Sequence, residues 1–299
     1  MVDTSISNMD EFVKIINVLT DTLIKTEFQD EILLFRGHPN IDYELLPSIA
    51  RKNNSDKSYL THEKELITKA IGKNPNIFSE DEYAVNLLVK LQHFGIPTRL
   101  LDVTYNAFVA LYFACVKDDD KDGEVIVFKV ASNDSGRMQY FNDDYVNVIA
   151  NMYKALETGY PCDLEVYCNY IGYDYYGLHV RFKELHVEEE LSKVYNYIRE
   201  PLFVSPVELS ERQKRQQGAF IIFPNNISEH DGRYSIMAEM EALDKSNDLI
   251  CARICIPKEK KKIYLSYLQS FGITEEFLFP DSTDIICRSI TQVINQRIE

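Results

Sequence analysis

Short apolar runs recur along the chain at strand length: EILLFRG (31–37), EVIVFKV (124–130), AFIIFP (219–224) and LICARICI (249–256). A continuous run of that kind buries both faces of a strand, so it demands a sheet with material packed on each side. The intervening segments supply that cover. Phe12, Ile15, Ile16, Leu19 and Leu23 recur at helical spacing behind Ser7, which with Asp10 three residues on has the form of a capping box. Residues 59–94 keep a helical period up to Gly95 and Pro97, where helices end, and Tyr105 to Val116 reads as an apolar helix. Thr98 to Thr104 and LFV (202–204) are further extended segments, ELSERQKRQQ is a short helix between two strands, and 258–270 and 282–298 read as closing helices. The expected fold class is α+β, a mixed sheet core flanked by helices, with Leu100, Leu101, Val109, Leu111 and Phe113 in the core. Residues 133–200 hold eleven of the 19 tyrosines and little strand alternation, so they are expected to form a helical insertion or subdomain within a single 1–299 domain.

Charge and cysteine usage exclude several function classes. The formal charge of −15 repels polyphosphate, so sequence-independent nucleic-acid binding is not expected. The longest strongly apolar run, Ala107 to Val116, is far short of the roughly 20 residues that span a bilayer, and the first residues lack a basic-then-apolar leader. A cytoplasmic protein without membrane contact is the expectation. The six cysteines form no C-x-x-C pair and read as reduced core thiols. No Asp, Glu and His cluster has the spacing to hold a metal.

Polar residues crowd three places where the apolar pattern is strongest. Arg36 ends the first buried-looking strand, where a planar guanidinium suits a carboxylate or a diphosphate, or an internal ion pair. LQHFGIPTRLLDVT (91–104) packs Gln92, His93, Arg99, Asp102 and Thr104 around a Gly-x-Pro turn, with Asp102 placed to pair with Arg36 or Arg99. ERQKRQQGAFIIFP (211–224) runs from a basic, Gln-rich helix through Gly218 into a strand, and that glycine serves either a helix end or close approach of a ligand.

These segments resemble the FRG domain. The likeness rests on Phe35-Arg36-Gly37, on YELLPSIAR (43–51), on LQHFGIPTRLLDVTYNAFVALYFA (91–114), on the RxxxQxG of Arg212, Gln216 and Gly218, and on IPKEKKKIYLSYLQSFGITEEFLFPD (256–281). In order and element type they are also similar to the Arg-Ser-Glu class of the ADP-ribosyltransferase superfamily: Arg36-Gly37 on a first strand, Asp102-Val103-Thr104 before a helix, and Gln216-Gln217-Gly218 before a third strand.

That second likeness implies an ADP-ribosyltransferase-like core with NAD as substrate. Arg36 would grip the diphosphate, Thr104 would orient the ribose, and Gln216 or Gln217 would stand where the superfamily has Glu, with Asp102 as the compensating carboxylate. Gly37, Gln92, His93, Arg99, Arg212 and Gly218 would complete the NAD-binding side. A neutral amide hydrogen-bonds a ribose hydroxyl but supplies no charge. The implied function is a bacterial or phage-related toxin or defence effector that modifies a macromolecular acceptor. The alternative is a non-catalytic module that senses a nucleotide or engages a regulatory protein partner.

Overall fold

The apolar runs pair into one eight-stranded mixed sheet in the computed structural model, which describes residues 2–25, 31–53, 56–78, 83–131, 137–157, 161–174, 187–207 and 210–280. In chain order, β1 (Val2–Ser5), α1 (Met9–Lys25) and β2 (Glu31–His38) precede α2 (Glu63–Lys73), α3 (Pro75–Phe78) and α4 (Ala84–His93). Then come β3 (Leu100–Thr104), α5 (Ala107–Cys115), β4 (Gly123–Ala131), β5 (Met138–Tyr140), α6 (Asp144–Ala150), β6 (Cys162–Asp163), α7 (Leu164–Asp174) and α8 (Val187–Ile198). The chain continues through β7 (Leu202–Ser205), α9 (Glu211–Gln216), β8 (Gly218–Ile222), β9 (Ile227–His230), β10 (Arg233–Ile236), β11 (Ile250–Ile256), α10 (Lys261–Ser270) and α11 (Glu275–Leu278).

The large sheet has the order β1-β11-β4-β2-β3-β8-β7-β5, with β6, β10 and β9 in a small second sheet. Its outermost pairs, β1 with β11 and β5 with β7, are parallel and the inner pairs antiparallel. On one face Leu34, Leu101, Val103, Ile126, Phe128, Phe203 and Ile221 form a single apolar cluster running across five strands. On the other, side chains alternate into two separate clusters. Phe35, Val125, Val127 and Ile254 pack with α1, α5 and α10, whereas Leu100, Val204, Phe220 and Ile222 pack with α4, α6 and α7. The division falls between β2 and β3. Those strands pair through Phe35 and Thr104 alone, while β2 and β4 pair along all of Glu31–His38.

Helix α5 lies directly on β2 and β4 at that division. A Cβ on Gly37 would stand 1.9 Å from the Ala110 carbonyl oxygen, and one on Gly123 would stand 2.3 Å from the Ala114 carbonyl oxygen. Both positions therefore require glycine, with Ala110 and Ala114 as the small residues facing them. Asn106 starts the helix by accepting from the backbone N–H groups of Phe108 (3.0 Å) and Val109 (3.4 Å).

Some local expectations need correction. The cap of α1 is Asn8, whose Oδ1 accepts from Glu11 N at 3.0 Å, and the returning carboxylate is Glu11, 2.7 Å from Ser7 N. Asp10 is one residue early because the helix begins at Met9. Phe113 is half-buried, unlike Leu100, Leu101, Val109 and Leu111, which are buried. Within 133–200, α6, α7 and α8 are accompanied by β5 on the edge of the large sheet and β6 in the small one. The closing helix expected at 282–298 lies outside the described residues. Among the described residues no helix is long and apolar enough to cross a membrane, and no group of three or more His, Cys, Asp and Glu could hold a metal ion.

Candidate functional site

Where β2 and β3 part, a cleft of about 490 Å³ opens. Its walls are Arg36 and Gly37 from β2, Asp102 and Thr104 from β3, Gln92 and His93 from α4, and Tyr112 and Phe113 from α5. Arg212 and Gln216 from α9, Gly218, Glu275 from α11, Lys117 and Phe279 also line it. Sheet register aligns the three polar segments: Phe35 is opposite Thr104 and Thr104 is opposite Gly218.

Arg36 closes the gap that the strands leave. Its Nη1 donates to the Asp102 carbonyl and its Nε donates to His38 Nε2 at 2.8 Å. Burial pushes the guanidinium down to about 10, with Asp102 opposing and Arg51 adding to the shift, so Arg36 remains charged at neutral pH. His38 Nδ1 lies 3.1 Å from Glu124 Oε1. Because Nε2 accepts from Arg36, the proton of the neutral imidazole is assigned to Nδ1, which donates to Glu124. Burial lowers His38 to about 4, against the opposing hydrogen bond to Glu124. For Glu124 burial raises the carboxyl, but hydrogen bonds from His38, Lys245 and Arg253 outweigh it and hold the group below the usual carboxylate range.

Asp102 is exposed in the cleft, and Gln92 Nε2 donates to its Oδ1 at 2.9 Å. Gln92 is in turn held by Thr98 Oγ1, which donates to its Oε1. His93 packs edge-on against Phe94 with ring centroids 4.9 Å apart. Arg212 lies over Phe279, 4.6 Å from the ring centroid, and Arg215 lies over Phe277 at 5.4 Å. Gln216 Nε2 donates to the Leu278 carbonyl at 3.1 Å. These contacts fasten α9 to α11, so the end of the described chain contributes Glu275 and Phe279 to the cleft wall. Burial, with the charge of Glu275 adding to it, raises Tyr112 to about 12 and keeps its phenol neutral.

Two expected site residues, Arg99 and Gln217, lie outside the cleft lining, and two that line it, Thr104 and Gly218, have structural duties there. Arg99 is fully buried: Nε and Nη2 pair with the Glu63 carboxylate, Nη1 donates to the Phe223 carbonyl at 3.0 Å, and Nη2 also reaches Asn225 Oδ1 at 3.2 Å. It offers nothing to a ligand. Thr104 lines the cleft, but its hydroxyl donates to the Gln216 carbonyl at 2.6 Å and accepts from Asn106 N at 3.0 Å. Gln217 ends α9 in a left-handed backbone conformation, φ 46°, with its side chain exposed and outside the cleft lining. Gly218 lines the cleft, yet a Cβ there would find Gln213 O at 3.7 Å, an ordinary contact, so the left-handed turn belongs to its neighbour.

Sequence reasoning missed Lys117, Phe113, Glu275 and Phe279 on the cleft wall, and His38 and Glu124 behind Arg36. Only His38 left a signal: it stands two residues after Arg36 on one strand, so both point to the same face.

The lining thus combines the cations Arg36, Lys117 and Arg212, the carboxylates Asp102 and Glu275, and an aromatic side of Tyr112, Phe113 and Phe279. Such a surface suits a ligand with an anionic part, hydroxyl groups and a planar part. The FRG domain family model matches residues 31–123, from the first residue of β2 to the first of β4. That stretch carries Arg36, Gly37, Gln92, His93, Asp102, Thr104 and Lys117, whereas Arg212, Gln216, Glu275 and Phe279 lie beyond it. Neither a curated protein nor a solved structure matches the chain.

Proposed function

We propose that the cleft is a site for a nucleotide diphosphate, with NAD as the fitting candidate, and that the protein works as a nucleotide-sensing module. One observation carries this reading. A guanidinium has five N–H donors, and Arg36 spends one on His38 and one on Asp102, which leaves three without a partner among the described residues, at the wall of a cleft it lines. A diphosphate matches that fork, and Lys117 and Arg212 add positive charge. Asp102 Oδ2, the oxygen that Gln92 does not use, would accept from ribose hydroxyls. Phe113 would stack on a base or nicotinamide ring, with Phe279, which stands edge-on to it, closing the side of that slot.

A second reading, NAD-dependent ADP-ribosyl transfer by a bacterial or phage-related effector on an ADP-ribosyltransferase-like core, is favoured by the two carboxylates in the lining. As the bond from ribose to nicotinamide breaks, its electron pair leaves with nicotinamide, and positive charge grows on the ribose. Asp102 or Glu275 would oppose that charge while an acceptor attacks the same carbon and gives up its proton. The committed hydroxyl of Thr104 and the exposed Gln217 weigh against the roles that the superfamily resemblance implies for them, so Asp102 and Glu275 are the residues to test.

Calorimetric titration of NAD, ADP-ribose and ATP into wild type and Arg36→Lys tests the first reading. Lysine keeps the charge but loses the fork, so affinity should fall about tenfold or more, as for a lost charge-assisted hydrogen bond. Failure of the wild type to bind any of the three sinks the nucleotide reading. Release of nicotinamide from NAD in the presence of cell lysate, abolished in Asp102→Asn or Glu275→Gln, would move the transferase reading ahead.

A further inference from the structure

Behind Arg36 runs a hydrogen-bond chain that the cleft itself does not use. Arg36 and His38 share one face of β2, and Glu124 on β4 stands opposite His38 in register. His38 is 2% exposed and Glu124 1%. Glu124 Oε1 accepts from His38 Nδ1 and from Lys245 Nζ, and its Oε2 accepts from Arg253 Nη2 at 2.9 Å and Nε at 3.2 Å. Lys245 Nζ also donates to the Ile41 carbonyl at 2.7 Å. Every side chain in the chain is held by at least two partners. Burying a carboxylate and an imidazole costs desolvation that apolar side chains at 38 and 124 would not incur. What the polar pair supplies, and no apolar pair can, is a fixed acceptor for Arg36 Nε.

We propose that His38 is the positioning residue of the anion site. With Nε held by His38 and Nη1 held by the Asp102 carbonyl, two corners of the guanidinium are pinned, and so is its plane. The three remaining N–H donors are then oriented before any ligand arrives, so binding costs little ordering of a long side chain. Glu124 acts one step further back. By accepting the Nδ1 proton it excludes the tautomer with a proton on Nε2, in which two N–H groups would face each other across the Arg36 contact. Lys245 and Arg253 neutralise Glu124 and keep it ionised. This assignment rests on the reading of the cleft as a nucleotide-diphosphate site.

Nitrogen NMR of the imidazoles tests the first half without a ligand: His38 should show a protonated Nδ1 and a bare Nε2, with the Nε2 resonance shifting in Arg36→Lys. A protonated Nε2 would overturn the proposal. ADP-ribose titrations into wild type, His38→Ala, Arg36→Lys and the double variant test the second half. His38→Ala should weaken binding about tenfold in the wild-type background and less than about twofold in the Arg36→Lys background, where there is no Nε–H to hold. Equal losses in both backgrounds would make His38 a general structural residue and overturn its positioning role. His38→Gln, whose amide oxygen reaches the place of Nε2, should restore affinity to within about threefold of wild type, and a folded His38→Gln that restores nothing also overturns it. A wild type that binds ADP-ribose while His38→Ala binds it equally well removes only the role of His38. A wild type that binds no nucleotide removes the nucleotide reading and this proposal together.

Discussion

Replacing Gly37 by alanine separates a glycine that serves the fold from one that serves a ligand. The added Cβ would lie 1.9 Å from the Ala110 carbonyl oxygen and 2.7 Å from the Ala114 nitrogen. The first contact is about 1.5 Å inside ordinary separation, and both obstacles are helix backbone, which no rotamer change removes. Helix α5 cannot retreat cheaply, because Val109, Ala110, Leu111, Ala114 and Cys115 are at most 1% exposed and fill the core beneath α1 and α10. Overpacking of this kind costs about 1–3 kcal/mol, and backbone against backbone puts Gly37→Ala at about 3 kcal/mol or beyond, a large part of the stability of an ordinary domain. Gly72→Ala is the control. Gly72 lies in α2 with nothing within 4 Å of its added Cβ, so the same change should stabilise by up to about 1 kcal/mol. Urea unfolding followed by circular dichroism gives both midpoints. If Gly37→Ala unfolds within about 0.5 kcal/mol of wild type and loses only nucleotide binding, the steric argument fails and the glycine belongs to the ligand.

Glu63→Gln leaves the fully buried Arg99 without its carboxylate and should cost about 3–5 kcal/mol in urea unfolding, with a loss under about 1 kcal/mol contradicting the structural assignment of Arg99. Thr104→Val removes one donated and one accepted hydrogen bond and should cost roughly 1–3 kcal/mol, while a folded Thr104→Val should bind NAD within about threefold of wild type. His38, lowered to about 4 from 6.5, makes the protein acid-sensitive. Below pH 6.5 the unfolded chain takes up a proton that the folded protein refuses, so stability present above 6.5 is lost as pH falls towards 4, by roughly 3 kcal/mol in total. His38→Gln should flatten that loss between pH 6.5 and 4.5, and identical slopes for wild type and variant would refute the assignment.

The sheet was legible where strands are buried on both faces. β2, β4 and β8 announce themselves as apolar runs because both sides of each meet a core, and β11 does so because Ala252, Ile254 and Ile256 fill one side while cysteines and Arg253 occupy the other. The edge strands β1 and β5, and the hairpin of β9 and β10, carry sequences such as VDTS and RYSI that have no such pattern, because one side or one edge of each is open. The parting of β2 from β3 left no trace in either sequence. It is a property of register, set by how far two segments more than 60 residues apart stay paired. Hence the cleft's location was invisible while its polar residues were conspicuous.

That asymmetry explains why Arg36 and Arg99 look alike in sequence and differ in the molecule. Each adjoins a buried strand, and each is hydrogen-bonded to carbonyls of a neighbouring segment. What distinguishes them is the countercharge. Glu63, on α2, neutralises Arg99 by direct contact, whereas Arg36 has a neutral imidazole at Nε and a carbonyl at Nη1, with the Asp102 carboxylate acting on it through space and Glu124 one step removed. The proposed anion site rests on that half-satisfied guanidinium beside a cleft, a feature that depends on a partner's distance rather than on any local pattern. The Phe-Arg-Gly triplet then resolves into three separate tasks. Phe35 packs under α5 and sets the one register pair with Thr104, Gly37 lets the helix approach, and Arg36 keeps three N–H donors without a partner among the described residues.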